Sequence, residues 1–174
     1  ETQIRLLAKK ENFSVVSVGE SFRAFQKKGG NLNQAVARAY RVGSLEPMWL
    51  ASYFMMEGFL KVSDKKGIIF DGAGRTLSEA KLFNDVANWC KRPYVVIYLR
   101  ISNEEAMERQ ISRGRSDSNS LTKVHARLKE FEKHTTSACA FFKKNEKLIT
   151  VQAEGSIQAI HEQIIRELHR IKKH

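Results

Sequence analysis

Residues 67–76, GIIFDGAGRT, join a short apolar run to a polar turn and the start of a helix. The apolar part favours a buried strand, and Asp71 follows it at the carboxyl end. The two glycines of the turn let the chain bend and let backbone N–H groups approach an anion. Thr76 is a suitable N-cap for the helix that follows. The segment therefore predicts a strand, then a turn that could bind a ligand, then a helix.

Short apolar runs alternate with helical patterns along the rest of the chain. The run 93–99, PYVVIYL, is the most apolar, as expected where helices cover both faces of a parallel sheet. Two more strands are predicted at 13–18 and 148–151. Helices are predicted over 2–11, 19–28, 31–42, 47–60, 77–90, 102–112, 120–144 and 156–172. This alternation predicts an α/β fold with a parallel sheet, in one domain over residues 1–174.

The overall charge is strongly positive. Thirty Lys and Arg stand against 19 Asp and Glu, which gives a net charge of +11. Such a balance favours polyanionic partners, among them nucleotides, nucleic acid or an acidic membrane surface. No apolar run approaches the roughly 18 residues of a membrane span, so we expect no membrane insertion.

Cysteine usage bears on metal binding and on the compartment. Cys90 and Cys139 lie far apart, and neither belongs to a CxxC or Cys/His cluster of the kind that holds zinc. So few cysteines fit a reducing compartment, either the cytoplasm or the mitochondrial matrix. The sequence begins at Glu1 with neither an initiator Met nor a signal-peptide pattern, so we expect that it lacks its natural beginning.

Two further stretches carry arginines where a phosphate could bind. Residues 17–23, SVGESFR, again join the end of a strand to a helix. Arg109 and Arg113 lie four residues apart on one helical face, Arg115 is just beyond, and Arg127 is on the following helix. Guanidinium groups clustered around a loop are expected where phosphoryl charge must be neutralised. The alternative is an ordinary turn with surface arginines, because Asp and Gly are common in turns and Arg is commonly exposed.

Taken in order, these stretches resemble the nucleoside monophosphate kinases, adenylate kinase above all. The likeness covers nearly the whole chain and includes the family's "GTQ-x-x-L-A", "STGDLLR", "G-x-L-V-P", "GFLIDGFPRT" and "AEGS" segments. The matching stretches here are 2–8, 17–23, 43–47, 67–80, 96–115 and 153–157.

The resemblance implies a three-layer P-loop-kinase-like fold, with a parallel sheet between helices. It also implies a helical acceptor-binding segment over about residues 19–60 and a short lid over about 113–119. The implied activity is Mg²⁺-dependent transfer of the terminal phosphoryl group of ATP, the co-substrate, to a nucleoside monophosphate. With AMP as acceptor the products are two ADP, and we expect a monomer.

The resemblance also implies roles for individual residues. Arg23 and Arg75 would bind the acceptor phosphate, and Asp71 would place magnesium, through water. The acceptor site would comprise Val18, Gly19, Arg23, Gly72, Arg75 and Glu79. The catalytic set would comprise Asp71, Arg109, Arg113, Arg115 and Arg127.

The sequence departs from the family pattern at several positions. The GxxxxGK loop and its preceding strand are absent, so we expect roughly ten to fifteen further residues before the match begins. Glu1 stands where the family has glycine, and Ala73-Gly74 replaces Phe-Pro, which predicts a looser turn.

Glu79 stands where the family has a glutamine that reads the base. An ionised glutamate can only accept hydrogen bonds, so it could still read an exocyclic amine on adenine or cytosine. The acceptor base therefore stays open, with AMP ahead of CMP. The alternative is that Glu79 is an exposed helix residue.

A second functional class stays open as well. The missing loop, Glu1, Ala73-Gly74 and the net charge of +11 also fit a non-catalytic kinase-like domain. Such a domain would use a basic surface to bind RNA or to take part in a ribonucleoprotein assembly.

Overall fold

The computed structural model describes residues 1–41, 47–112 and 121–172, with residues 39–41, 123, 127 and 172 described by their backbone alone. Helices and strands alternate along these ranges as the sequence predicts. The helices are α1 Thr2–Glu11, α2 Val18–Gln26, α3 Asn31–Arg41, α4 Met48–Lys61, α5 Leu77–Trp89, α6 Asn103–Ser112, α7 Leu121–Lys144 and α8 Ile157–Lys172. The strands are β1 Ser14–Ser17, β2 Ile68–Asp71, β3 Val96–Arg100 and β4 Leu148–Gln152. The predicted lid, 113–119, lies outside the described residues.

The strand boundaries differ from the predicted ones by a few residues. Asp71 is the last residue of β2 and does not merely follow it. β3 begins at Val96 and not at Pro93, because pairing starts where the Val96 N–H donates to the Lys147 carbonyl at 2.7 Å. A proline has no N–H to contribute to such a ladder.

All the described strands pair in parallel, as predicted, but they form two separate pairs. β1 pairs with β2 in the register Ser14↔Ile68 to Ser17↔Asp71. β3 pairs with β4 in the register Val96↔Leu148 to Arg100↔Gln152. Among the described residues these are two two-stranded sheets, so β2 and β3 each keep one unpaired edge.

Shared helices bridge the two sheets on both faces. On one face, the Phe83 ring of α5 lies 5.2 Å from the Phe70 ring of β2 and 5.0 Å from the Tyr94 ring next to β3. On the other face, Ile69 of β2 and Ile97 of β3 pack against one cluster formed by α1, β4 and α8. Adjacent strand residues point to opposite faces of a sheet, so Ile69 and Phe70 define two helical layers around the strands. The three-layer α/β architecture is therefore confirmed.

Close contact between α4 and the first sheet depends on a glycine. A Cβ at Gly58 would lie 2.6 Å from Val16 Cγ1 of β1 and 2.9 Å from the Phe70 ring of β2. Real Cβ atoms do not approach other atoms so closely, so only glycine allows this helix to reach the strands.

Helices α2, α3 and α4 have a cluster of their own beside this layer. It forms around Phe22, which is fully buried, and includes Val36, Leu50 and Phe54. The Phe22 and Phe54 rings meet edge to face at 5.2 Å, a favourable arrangement for aromatic pairs. This packing fixes the orientation of α2, whose first turn reaches the carboxyl ends of β1 and β2.

No helix within the described ranges combines the length and the apolar character that crossing a bilayer requires.

Candidate functional site

The carboxyl ends of β1 and β2 bring two polar side chains together. Ser17 and Asp71 are register partners at the last position of each strand. The Ser17 hydroxyl donates to Asp71 Oδ2 at 3.4 Å, and its oxygen accepts from the Glu20 N–H at 3.4 Å. Ser17 is the N-cap of α2. One hydroxyl therefore links the Asp71 carboxylate to the first turn of α2.

The turn after Asp71 requires its two glycines. Gly72 has φ 84° and Gly74 has φ 70°, which are left-handed conformations that favour glycine. A Cβ at Gly74 would lie 3.2 Å from Phe142 Cζ of α7. Ala73, between them, packs against the cluster of α2, α3 and α4 and against the Phe83 cluster. Both residues that replace the family's Phe-Pro therefore have packing partners.

The start of α5 is held by a reciprocal pair of hydrogen bonds. The Glu79 N–H donates to Thr76 Oγ1 at 3.2 Å, which confirms Thr76 as the N-cap. In return, Glu79 Oε2 accepts from the Arg75 N–H at 2.8 Å. Glu79 is only 5% exposed, so the alternative of an exposed helix residue is wrong. The pair resembles a capping box in which the carboxylate reaches the residue before the N-cap.

Arg75 folds back over the glycine turn. A Cβ placed on Gly72 would lie 3.9 Å from Arg75 Nε and equally 3.9 Å from Val18 Cβ. The side chain of Arg75 is half-buried. The structure thus brings Val18, Gly72 and Arg75 together at the strand edge beside Asp71.

Arg23 lies over the other glycine of the predicted acceptor site. A Cβ at Gly19 would lie 3.4 Å from an Arg23 guanidinium nitrogen, so the side chain runs back along α2 toward its N-terminus. Arg23 is half-buried, and it forms no ion pair with any side chain that the structure describes. A half-buried guanidinium without a carboxylate partner suits an anionic ligand, because a buried charge is otherwise costly.

The remaining predicted arginines are not brought to this edge by any described contact. Arg109 of α6 forms an ion pair with Glu105, one turn earlier in the same helix. Arg113 and Arg115 lie outside the described residues, and Arg127 is placed only as a backbone position in α7. The arrangement of these four residues around a transferring phosphoryl group stays a prediction.

The Asp71 carboxylate lies at the end of β2, where it could face a metal ion. Within residues 1–41, 47–112 and 121–172, no group of three or more His, Cys, Asp or Glu side chains is placed to hold a metal ion. Mg²⁺ is commonly held by one or two carboxylates together with waters and substrate phosphates. Asp71, half-buried at a strand end and held by Ser17, fits that role for the implied Mg²⁺.

Sequence reasoning missed the part played by Ser17 and the direction in which Glu79 points. Both residues belong to the pattern Ser/Thr-x-x-Glu, in Ser17 to Glu20 and in Thr76 to Glu79. That pattern is the signature of a capping box and could have indicated both helix starts. The contact of Phe142 with Gly74 had no such signal, because it joins distant parts of the chain.

The fold and this edge together indicate a class of protein. Parallel strands between helices, with ligand groups at their carboxyl ends, are typical of α/β nucleotide-binding proteins. A family model described as an AAA domain matches residues 1–123.

Curated relatives match nearly the whole chain. The adenylate kinase of Porphyromonas gingivalis is 30% identical over 177 residues, which cover 99% of this chain and 91% of that protein. The adenylate kinase of Azobacteroides pseudotrichonymphae is 27% identical over 175 residues, covering 98% and 91%. That of Corynebacterium urealyticum is 27% identical over 163 residues, covering 92% and 88%. The chain belongs to the adenylate kinase-like nucleoside monophosphate kinases, and is thus a nucleotide-binding member of a transferase family.

Proposed function

We propose that the protein transfers the terminal phosphoryl group of ATP to a nucleoside monophosphate, with AMP as the preferred acceptor. The observation that carries the proposal is the edge formed by the ends of β1 and β2. There the half-buried Arg23 side chain lies over Gly19 in the first turn of α2, and the half-buried Arg75 lies over Gly72, the residue after Asp71. The curated relatives, which are named adenylate kinases, supply the reason for placing AMP first.

Each group at the edge has a distinct task in this reaction. Arg75 and Arg23 bind the acceptor phosphate through charge-assisted hydrogen bonds, for which the planar guanidinium group is well shaped. The backbone N–H groups at the start of α2 and in the glycine turn add donors for the same anion. Asp71 would hold Mg²⁺ through water, and the chemistry supplied there would be neutralisation of charge on the ATP phosphates.

The chain needs no distinctive general base for this chemistry. Phosphoryl transfer is accelerated mainly by aligning the donor and acceptor oxygens and by neutralising charge as it develops. Arg109, Arg113, Arg115 and Arg127 are the proposed source of that neutralisation around the transferring group. Arg75 would then hold the acceptor phosphate and Asp71 the metal, in the same turn of the chain.

The function is tested by coupled production of ADP from ATP with AMP, CMP or UMP, using the full-length protein and Mg²⁺. Arg75→Ala should lower kcat/KM by about 10²- to 10³-fold, because a positioned charged donor is lost from the transferring phosphates. The fold should persist, since Arg75 is not a core residue. Arg170→Ala is the matched control, because the Arg170 side chain is 71% exposed and its described ion pair is with Glu167 of the same helix.

Two results would count against the kinase. Unchanged turnover in Arg75→Ala would remove this residue from the acceptor site. Absence of turnover with all three acceptors, in a folded full-length protein, would refute phosphotransferase activity.

A basic cluster supports a second candidate, a non-catalytic domain that binds RNA. Lys65, Lys66, Lys91 and Arg92 line one cavity of about 290 Å³ at the amino-terminal end of β2, away from Asp71. The Arg92 guanidinium is already committed, because it donates to the Val62 and Lys66 carbonyls and to Asp64. The three lysines are exposed and could contact phosphates.

RNA binding can be measured separately from kinase turnover. If the alternative holds, a single-stranded RNA should bind with an affinity that falls steeply with salt, because lysines release counterions from the phosphates. Changing Lys65, Lys66 and Lys91 to Gln should flatten that salt dependence. Turnover with AMP, together with no salt-dependent RNA binding, would eliminate this candidate.

A further inference from the structure

The carboxylate of Glu79 faces the backbone of the residue that carries the acceptor-binding guanidinium. Its Oε2 lies 2.8 Å from the Arg75 nitrogen, while its own N–H is bonded to Thr76 Oγ1 at 3.2 Å. With 5% exposure, this carboxylate is shielded from solvent on nearly all sides. A buried carboxylate is stable only with donors around it, and the first turn of α5 adds a favourable dipole.

The contact matters because the chain just before Arg75 is conformationally permissive. Gly72 and Gly74 have φ 84° and 70°. Glycine loses more conformational entropy than other residues when it is held in one conformation. The bond from the Arg75 N–H to Glu79 fixes the chain immediately after the second glycine. It thereby fixes the direction in which the Arg75 side chain extends from the backbone toward Val18 and Gly72.

We propose that Glu79 is a positioning residue that holds Arg75 for the acceptor phosphate, and that it does not select the acceptor base. This inference rests on the proposed kinase function. One carboxylate oxygen is engaged by the backbone, and the near-complete burial of the residue leaves little surface for a base. An ionised carboxylate also offers only acceptors, whereas reading a base edge generally takes donors and acceptors together.

The first test compares Glu79→Ala with Glu79→Gln for three acceptors, AMP, CMP and UMP. Glu79→Ala should raise KM for every accepted monophosphate by a common factor of about ten, since a helix cap and a charge-assisted bond are lost together. Glu79→Gln keeps an oxygen that can accept from the Arg75 N–H, so its KM values should stay within about threefold of the wild type. Asp85→Ala is the matched control, because Asp85 is an exposed acid on the same helix.

The ratio of kcat/KM between acceptors decides between positioning and base selection. Positioning leaves this ratio unchanged in both Glu79 variants. A change of about tenfold or more in the AMP to CMP ratio in either variant would overturn the proposal and restore Glu79 as a base-reading residue.

A second measurement needs no turnover and keeps the two proposals apart. In amide hydrogen exchange and ¹H–¹⁵N NMR, the Arg75 N–H should be protected in the wild type and in Glu79→Gln, and should lose protection in Glu79→Ala. An unprotected Arg75 amide in the wild type, or protection unchanged in Glu79→Ala, would refute positioning. If the wild type turns over no acceptor, the kinase proposal fails, while this measurement still decides whether Glu79 holds Arg75.

Discussion

The Ser17 hydroxyl contacts two groups on which the proposed site depends. It caps α2 through the Glu20 N–H, and it donates to the Asp71 carboxylate that would face Mg²⁺. These two tasks have different consequences when the hydroxyl is removed. Loss of the cap lowers stability, whereas loss of the Asp71 contact frees a carboxylate at the site.

Ser17→Ala is therefore expected to change both stability and the magnesium requirement. The free energy of unfolding should fall by about 1 kcal/mol, the usual cost of removing a serine N-cap. The Mg²⁺ concentration for half-maximal turnover should rise severalfold, because Asp71 is no longer held in one orientation. Urea unfolding and a magnesium titration of ADP production measure the two effects.

The control for Ser17→Ala is Ser102→Ala. Ser102 Oγ accepts from the Glu105 N–H at 3.4 Å, the same capping distance as at Ser17, but no described hydrogen bond joins its hydroxyl to a carboxylate. This variant should lose stability and keep its magnesium requirement. Equal magnesium requirements in both variants would contradict the role given to the Ser17–Asp71 contact.

For individual residues, the sequence predicted the place in a helix or strand better than the groups that the side chain contacts. Asp71 at a strand end and Thr76 at a helix start followed from residue type and order. The burial of Glu79 did not follow, because a glutamate in a first helical turn is usually exposed. Its actual partner depends on a left-handed glycine turn that brings the Arg75 N–H back toward the helix.

Among the elements, α4 shows most clearly how packing overrides helix propensity. Alanine is favoured over glycine inside a helix by about 1 kcal/mol. At Gly58 that gain is opposed by a collision, since the added Cβ would lie 2.6 Å from Val16 and 2.9 Å from Phe70. Overpacking of a tight contact typically costs about 1–3 kcal/mol, so the collision should win.

We therefore expect Gly58→Ala to lower the free energy of unfolding by about 1–2 kcal/mol in urea titrations. Gly19→Ala is the control, because its Cβ would lie 3.4 Å from the end of the Arg23 side chain, and no closer neighbour is found among the described residues. That variant should be at least as stable as the wild type. A Gly58→Ala protein as stable as the wild type would show that α4 lies farther from the strands than the structure places it.

Helices and strands were largely predictable as elements, and so was their parallel direction, whereas the choice of pairing partners was not. The spacing of apolar residues and the capping residues indicated each helix, and short apolar runs indicated each strand. The division into the pairs β1–β2 and β3–β4 among the described residues depends on contacts between distant segments, which no local pattern encodes.

Across the whole molecule, the two sheets are joined by helices that contact both. Phe83 touches an aromatic ring beside each sheet, and the α1, β4 and α8 cluster contacts Ile69 and Ile97. Because these helices contact both sheets, removing them from one sheet would also expose the other sheet to solvent.

This sharing predicts one cooperative unfolding transition. Far-UV circular dichroism, near-UV circular dichroism and calorimetry should give coincident midpoints, as in small two-state domains. Phe83→Ala should lower that single midpoint without splitting it, because it removes a contact common to both sheets. Two resolved transitions would mean that the sheets are stabilised independently.

The net charge of +11 was visible in the sequence, but it did not distinguish the two functional classes. The structure puts the basic residues that bear on these two classes in two places. Arg23 and Arg75 lie at the carboxyl edge of β1 and β2, and the lysines lie at the opposite end of β2. The kinase proposal concerns the first place and the RNA-binding alternative the second, so variants in one leave the other intact.

The most direct test of the central claim follows all three nucleotides at once by ³¹P NMR, with ATP, AMP, Mg²⁺ and the full-length protein. The proposed reaction predicts that two ADP form for each AMP consumed, with no inorganic phosphate, and that the rate falls by about 10²- to 10³-fold in Arg75→Ala. Formation of ADP and inorganic phosphate while AMP stays constant would contradict the account, as would unchanged spectra in the presence of folded protein.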